Sequence, residues 1–261
     1  MVLRHSMKRP DSHAVTGDDF PKQISWTVLV LLHLLPGVGF YLVFLALNAI
    51  VSRLGGTTYL ALILTIPLAL FPLLLGIMLV WSWRTTGAAS LRAVTANLGH
   101  ASASTVFGFA LMLFLLLAVV SLGTGAISLW IEGSFSWGVE ALRSQTVVAQ
   151  LVESSPFERQ LTFALALLFS GIVAPVAEEI YFRGVLLPRI EFLGKAAPVV
   201  NSFLFALQHF YMPWNVPAIF VMWIPIAIIV RKQRDLRIGV IVHCLINISG
   251  ALQLFLNSGL A

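Results

Sequence analysis

Glu178 and Glu179 stand side by side within a long apolar stretch, Leu161 to Phe182, with Arg183 close behind. Of the chain's eleven acidic residues, only these two are set in such a segment. A carboxylate at membrane depth costs at least a few kcal/mol, so an adjacent pair points to chemistry rather than packing. Residues four apart share a helix face, which positions Glu179 to pair with Arg183. Glu178 then points about 100° away and is the carboxylate left free for proton transfer. Pro175 removes a helix hydrogen bond just upstream and predicts a kink that opens backbone to water.

Two further couples share the four-residue spacing: Phe205 with His209 on FLFALQHF, and His243 with Asn247 on VHCLIN. A histidine and an asparagine on one helical face offer two donors to a single oxygen, as an oxyanion requires. Taken singly, His209 or His243 reads as a hydrogen-bonded interhelical residue. Their company with the glutamates makes the functional reading. Phe205 is expected to wall a cavity. His33 lacks such company and reads as a packing histidine, and Cys244 as a small buried hydrophobe.

These residues must be positioned by elements that cross a membrane. The chain is 59% hydrophobic and 10% charged, against about 25% charged in a soluble domain, with a mean hydropathy of +0.93. This predicts an all-α, polytopic transmembrane bundle. A hydrocarbon core of about 30 Å needs roughly 20 apolar residues in helix. Seven runs qualify: Trp26 to Val51, Tyr59 to Trp83, Thr105 to Ile131, Leu161 to Glu179, Ala196 to His209, Val216 to Val230 and Ile238 to Leu256. The fifth and sixth are short, and short helices survive in a membrane only under cover of protein or a water-filled cavity. Six to eight crossings bracket the count.

Arg4, Lys8, Arg9 and Lys22 precede the first run, and Arg231, Lys232, Arg234 and Arg237 lie between the last two. Positive residues gather on the cytoplasmic side, so residues 1–25 form a cytoplasmic segment followed by an uncleaved anchor. The cluster Arg231 to Arg237 could also hold anionic lipid. Residues 26–131 form the amino-terminal helices, with a cytoplasmic or interfacial linker over 84–104. Residues 132–160, with Glu132, Glu140, Glu153 and Glu158 against Arg143 and Arg159, form an extracytoplasmic loop. Residues 161–261 form the catalytic core. Phe210, Tyr211 and Trp214 read as an interfacial aromatic belt. The net charge of +5 lies in short segments between apolar runs, where it sets topology, and no nucleic-acid signature accompanies it. One cysteine excludes an internal disulfide and any cysteine-rich metal site.

EEIYFR, FALQH and HCLIN resemble the Glu-Glu-x-x-x-Arg, Phe-x-x-x-His and His-x-x-x-Asn motifs of the CAAX-protease and bacteriocin-processing family of intramembrane endopeptidases. Each motif alone is weak; three in order on successive helices are strong. The resemblance covers roughly Leu161 to Leu256. It implies a protease, localised as a multi-pass protein of the cell membrane in a prokaryote, that cuts membrane-anchored or lipidated peptide or protein substrates within or near the bilayer. It implies Glu178 as the base that activates water, His209 as its partner, and His243 with Asn247 as stabilisers of the tetrahedral intermediate. Glu179, Arg183 and Phe205 take supporting places.

Members of that family are often called metalloproteases, and the residues read in two ways. Zinc would be held by Glu178, His209 and His243 and would lower the pKa of bound water to about 7. A metal-free site would use Glu178 directly. The chain has no His-Glu-x-x-His motif to place two ligands and a base on one helix, which favours the glutamate mechanism with no cofactor. The rival functions are a transporter or proton relay, disfavoured by the lack of an internal repeat, and an inactive scaffold or immunity protein, disfavoured by the intact motifs.

Overall fold

Backbone in hydrocarbon must satisfy its own N–H and C=O groups, so long apolar runs become helices. The computed structural model describes residues 23–99, 101–134 and 138–259. The expected basic residues Arg4, Lys8, Arg9 and Lys22 lie outside the described residues. Among the described residues there is no strand, only an isolated bridge between Leu98 and Asp235. Six runs are long and apolar enough to span: Trp26–Arg53, Thr58–Thr86, Ala103–Ser134, Pro156–Leu207, Pro213–Gln233 and Leu236–Asn257. The protein is thus an all-α, multi-pass integral membrane protein.

The fourth run is 52 residues long, and straight it would extend about 78 Å, more than twice the thickness of a hydrocarbon core. It breaks at Ile190 (φ −122°, ψ 23°) and Gly194, whose φ of 55° suits a residue without a Cβ. The fourth and fifth of the seven expected runs both fall within this one, on either side of the break, so six candidate spans stand where seven were expected. We label the helices α1 (Trp26–Arg53), α2 (Thr58–Thr86), α3 (Ala103–Ser134), α4 (Ser144–Glu153), α5 (156–186), α6 (Ala197–Leu207), α7 (Val216–Gln233) and α8 (Leu236–Asn257). At eleven residues, α6 covers only about 16 Å and is sheltered between α1 and α7.

Prolines decide how these helices join. Each lacks an N–H and so strips a carbonyl upstream of its partner. Pro36 frees the Leu32 carbonyl of α1, and the Tyr181 hydroxyl of α5 donates to it at 2.8 Å. In α5 the chain runs in the wider π register over Ala166–Val173 and again over Glu179–Leu186, with the N–H of Ala174 bonding Phe169 and that of Leu187 bonding Phe182. In that register the partner of the Ser170 carbonyl would be Pro175, which has no N–H, and Asn247 of α8 donates its amide there at 2.9 Å. Pro188 likewise frees the end of α5: the Ala96 N–H takes the Gly184 carbonyl at 2.8 Å, and the Asn97 amide reaches that of Arg183 at 3.4 Å. The kink expected at Pro175 is therefore a change of register that ties α5 to α8.

In the polar stretch 84–104, residues 84–86 finish α2 and 103–104 begin α3, and among the described residues between them only Leu91–Val94 is helical. Residues 95–99, with Ala101, form a strap under the end of α5 and the α7–α8 turn. Leu236 N–H donates to Asn97, Asp235 accepts from Ala101 N–H, and Arg237 donates to the Ala101 carbonyl. Arg189 donates to the Val94 carbonyl at 3.1 Å. At the opposite end, the stretch expected as a loop over 132–160 holds α4 and the start of α5, whose cap Ser155 and first-turn Pro156 favour helix. There the Glu158 carboxylate accepts the Thr57 N–H at 2.7 Å, and Arg159 donates to the Ser258 carbonyl at 2.9 Å. Tyr211 and Trp214, expected at the membrane interface, are buried instead: Tyr211 stacks on Phe40 at 5.2 Å, and a Cβ on Gly138 would meet the Trp214 ring at 2.7 Å.

Candidate active site

The two glutamates sit on α5 at the start of its second π segment, and both are buried. Gly184, five residues on, is capped by the strap, which sets the pair about 7 Å inside that end of the bundle. Glu179 is fully enclosed. Its Oε1 lies 3.3 Å from Arg183 Nη1 and 3.1 Å from His243 Nδ1 of α8. Arg183 also places its guanidinium 4.4 Å from the centre of the Phe205 ring, a cation–π contact in a dry setting. Phe205, expected as cavity wall, is thus a buried platform for the arginine.

Glu178 faces elsewhere. Its Oε2 lies 3.7 Å from His243 Nε2, close but beyond a hydrogen bond. The imidazole of His243 therefore stands between two carboxylates. A carboxylate oxygen can only accept, so Nδ1 carries the proton toward Glu179 and Nε2 is the nitrogen that faces Glu178. This is an arrangement in which a buried acid fixes the tautomer of a histidine.

The residue brought to Glu178 is His243 and not His209. His209 lies past the end of α6, with Nδ1 3.1 Å from the Phe205 carbonyl, to which it donates, and its ring 5.3 Å from that of Phe205. Asn247 is one turn beyond His243, and one of its amide hydrogens is committed to Ser170. Phe205 lies between the two histidines, its ring 6.2 Å from His243. His33 is buried and bonded on both nitrogens, to the Leu29 carbonyl at 2.9 Å and to Asn201 at 3.0 Å.

Among the described residues no three His, Cys, Asp or Glu side chains gather as a metal-binding group. Glu178 Oε2 and His243 Nε2 lie 3.7 Å apart, while His209 bonds the Phe205 carbonyl through Nδ1 and keeps Nε2 free, so among the described residues two residues of the zinc alternative are together and the third stands apart.

Three residues of the site carry no motif signal. Trp223 of α7 meets His243 edge to face, with ring centroids 4.8 Å apart. Gly239 of α8 makes room for Glu179: a Cβ there would lie 2.6 Å from Oε2. Gly37 of α1 lets the end of α6 approach, since a Cβ would lie 2.4 Å from the Gln208 carbonyl oxygen, next to His209. Only the glycines leave any trace in sequence, as small residues within apolar helices.

No curated protein and no solved structure matches the chain significantly. A family model does match, and its bounds enclose all seven residues of the three couples and the acid pair. Residues 160–249, about a third of the chain, match the model described as type II CAAX prenyl endopeptidase Rce1-like, a similarity consistent with the CAAX-protease and bacteriocin-processing family.

Proposed function

We propose that this protein is an intramembrane endopeptidase that hydrolyses peptide bonds of prenylated or otherwise membrane-anchored substrates, with Glu178 as general base. The observation that carries the reading is the asymmetry of the acid pair. Glu179 is committed to Arg183 and His243, while Glu178 meets only the far nitrogen of the same histidine, at 3.7 Å. An Rce1-like domain implies CAAX-type protease activity, and the acid pair lies inside it.

A water held against Glu178 Oε2 and His243 Nε2 gives up a proton to Glu178. The hydroxide adds to the scissile carbonyl. The remaining amide hydrogen of Asn247 stabilises the oxyanion. The C–N bond then breaks, and the proton passes to the leaving amine from Glu178 or through His243 Nε2. Glu179 and Arg183 hold His243 in the needed tautomer. Every step uses the chain's own side chains, with no cofactor.

The end carrying the strap also carries Arg84, Arg92, Arg189, Lys195, Arg231, Lys232, Arg234 and Arg237, whereas the other carries Glu132, Glu140, Glu153 and Glu158. The strap end faces the cytoplasm on this reading, with the amino terminus, and 132–160 lies outside. The working core is residues 161–261.

The test is hydrolysis of a farnesylated peptide ending in a Cys-a-a-X sequence by the purified protein in nanodiscs. Glu178→Gln should lower kcat by about 10²- to 10⁴-fold while the protein remains folded. Undiminished turnover in that variant removes Glu178 from the mechanism. Metal content and activity after chelation test the cofactor separately: turnover that requires stoichiometric zinc replaces the glutamate mechanism.

A further inference from the structure

Trp223 lies on α7, outside the three motif couples. Its ring is buried, edge to face with His243 at 4.8 Å and stacked on Phe205 at 5.5 Å with 24° between planes. These contacts account for the bulk of the side chain but not for its nitrogen. Trp223 Nε1 is buried without a hydrogen-bond partner, and so is Glu179 Oε2. A buried donor and a buried acceptor are each expensive to leave unpaired.

Both side chains pack on one imidazole: Trp223 meets the His243 ring at 4.8 Å, and Glu179 Oε1 lies 3.1 Å from its Nδ1. Glu179 Oε1 is already engaged by Arg183 and His243, so Oε2 is the oxygen with lone pairs to spare. On the α8 side that oxygen is bounded by Gly239, which brings no side chain; a Cβ there would sit 2.6 Å from Oε2 and 3.0 Å from a Val230 methyl. Two buried side chains beside Glu179 have donors to spare, Arg183 and Trp223; the guanidinium is turned to Oε1 and the Phe205 ring, which leaves the indole N–H for Oε2.

We infer that Trp223 is a positioning residue whose indole N–H donates to Glu179 Oε2 and so fixes the carboxylate that selects the His243 tautomer. The inference rests on Glu178 and His243 being the hydrolytic pair. An indole locked by Phe205 and His243 cannot swing away, so Glu179 cannot rotate and release Nδ1. A tautomer flip at His243 would put a proton on Nε2, where the reaction needs a lone pair.

Two measurements test it. The first reads the bond itself, by ¹⁵N-indole NMR of the protein in nanodiscs, with the Trp223 resonance identified by its loss in Trp223→Phe. The Nε1–H should exchange slowly with solvent and move upfield in Glu179→Gln, while Glu178→Gln leaves it in place. A resonance unmoved by Glu179→Gln overturns the assignment, whatever the protein's activity. The second replaces Trp223 with benzothienylalanine, which keeps both rings and puts sulfur where the N–H was. This variant should lower kcat by about 10- to 100-fold with KM unchanged, and should cost nothing further in a Glu179→Gln background. Full activity in the benzothienyl variant defeats the positioning role. A wild-type protein inert to the prenylated peptide would count against the protease reading, while the NMR result would still decide the hydrogen bond.

Discussion

Two long apolar stretches cross this bundle in different ways. Helix α3 runs 32 residues from Ala103 to Ser134 without a proline, and much of its surface faces outward, with Phe107, Val119 and Leu122 more than half exposed. The run from Pro156 to Leu207 contains Pro175, Pro188 and Pro198, shifts twice into the π register and breaks at Gly194. A regular helix satisfies its own backbone and has only side chains to offer its surroundings. An interrupted one has carbonyls left over, and in hydrocarbon these must find donors. Here they find Asn247 and the strap residues Ala96 and Asn97, and so draw together the elements that surround the two glutamates. The irregular helix gathers polar groups because its backbone is incomplete.

The same substitution should therefore have opposite consequences along α3 and in the helices drawn against the interrupted run. The largest effect is expected at Gly37, beside Pro36 in α1. An alanine Cβ would lie 2.4 Å from the Gln208 carbonyl oxygen and 3.0 Å from its Cα, backbone atoms that cannot turn aside. Gly37→Ala should destabilise the protein by about 3 kcal/mol, the upper part of the overpacking range, and displace His209 with the end of α6. Thermal unfolding in detergent, followed by size exclusion, measures it; an unchanged midpoint would mean that α1 and α6 are not in such close contact.

Next comes Gly239→Ala. The clash is with a carboxylate, which elsewhere would swing away, but Glu179 is held by Arg183 and His243. Either the carboxylate moves and releases His243, or α8 moves. A displacement of about 1 Å at such a group lowers kcat by about 10²-fold, with a stability loss of about 1–3 kcal/mol. A kcat loss much larger than the stability loss predicts would show that Glu179 sharpens the reaction and does more than pack. Tyr181→Phe is smaller and falls on stability alone. It leaves the Leu32 carbonyl, freed by Pro36, without its 2.8 Å donor, at about 1–3 kcal/mol, and should spare kcat.

Much of this was legible from residue order alone. Apolar length gave the candidate spans, six where seven were expected, because the fourth and fifth runs belong to one helical stretch broken at Gly194. The four-residue spacing of Glu179 and Arg183 gave their ion pair, because helix neighbours are fixed by local geometry. Two things lay beyond it. A π register has no composition of its own, so Pro175 announced a disturbance without saying that Ser170 would be handed to Asn247. Contacts between distant helices were equally silent. His243 rather than His209 reaches Glu178, and Trp223, Gly239 and the strap residues Ala96 and Asn97 close the site, through packing between segments far apart in the chain. Nothing local in VMWIPI marks its tryptophan as a neighbour of His243.

The smallest expected effect is the control for all the others. Gly108, Gly123 and Gly125 lie in α3 with open space where a Cβ would project, and all three are exposed. An alanine there meets nothing, removes conformational freedom from the unfolded chain and suits a helix interior, so each Gly→Ala should raise stability by about 0.5–1 kcal/mol and leave hydrolysis untouched. The comparison turns on sign. If alanine at Gly108 or Gly123 lowered stability or activity as it does at Gly239, then α3 would be making contacts with something other than lipid, and its regularity would no longer explain why the chemistry gathers around α5.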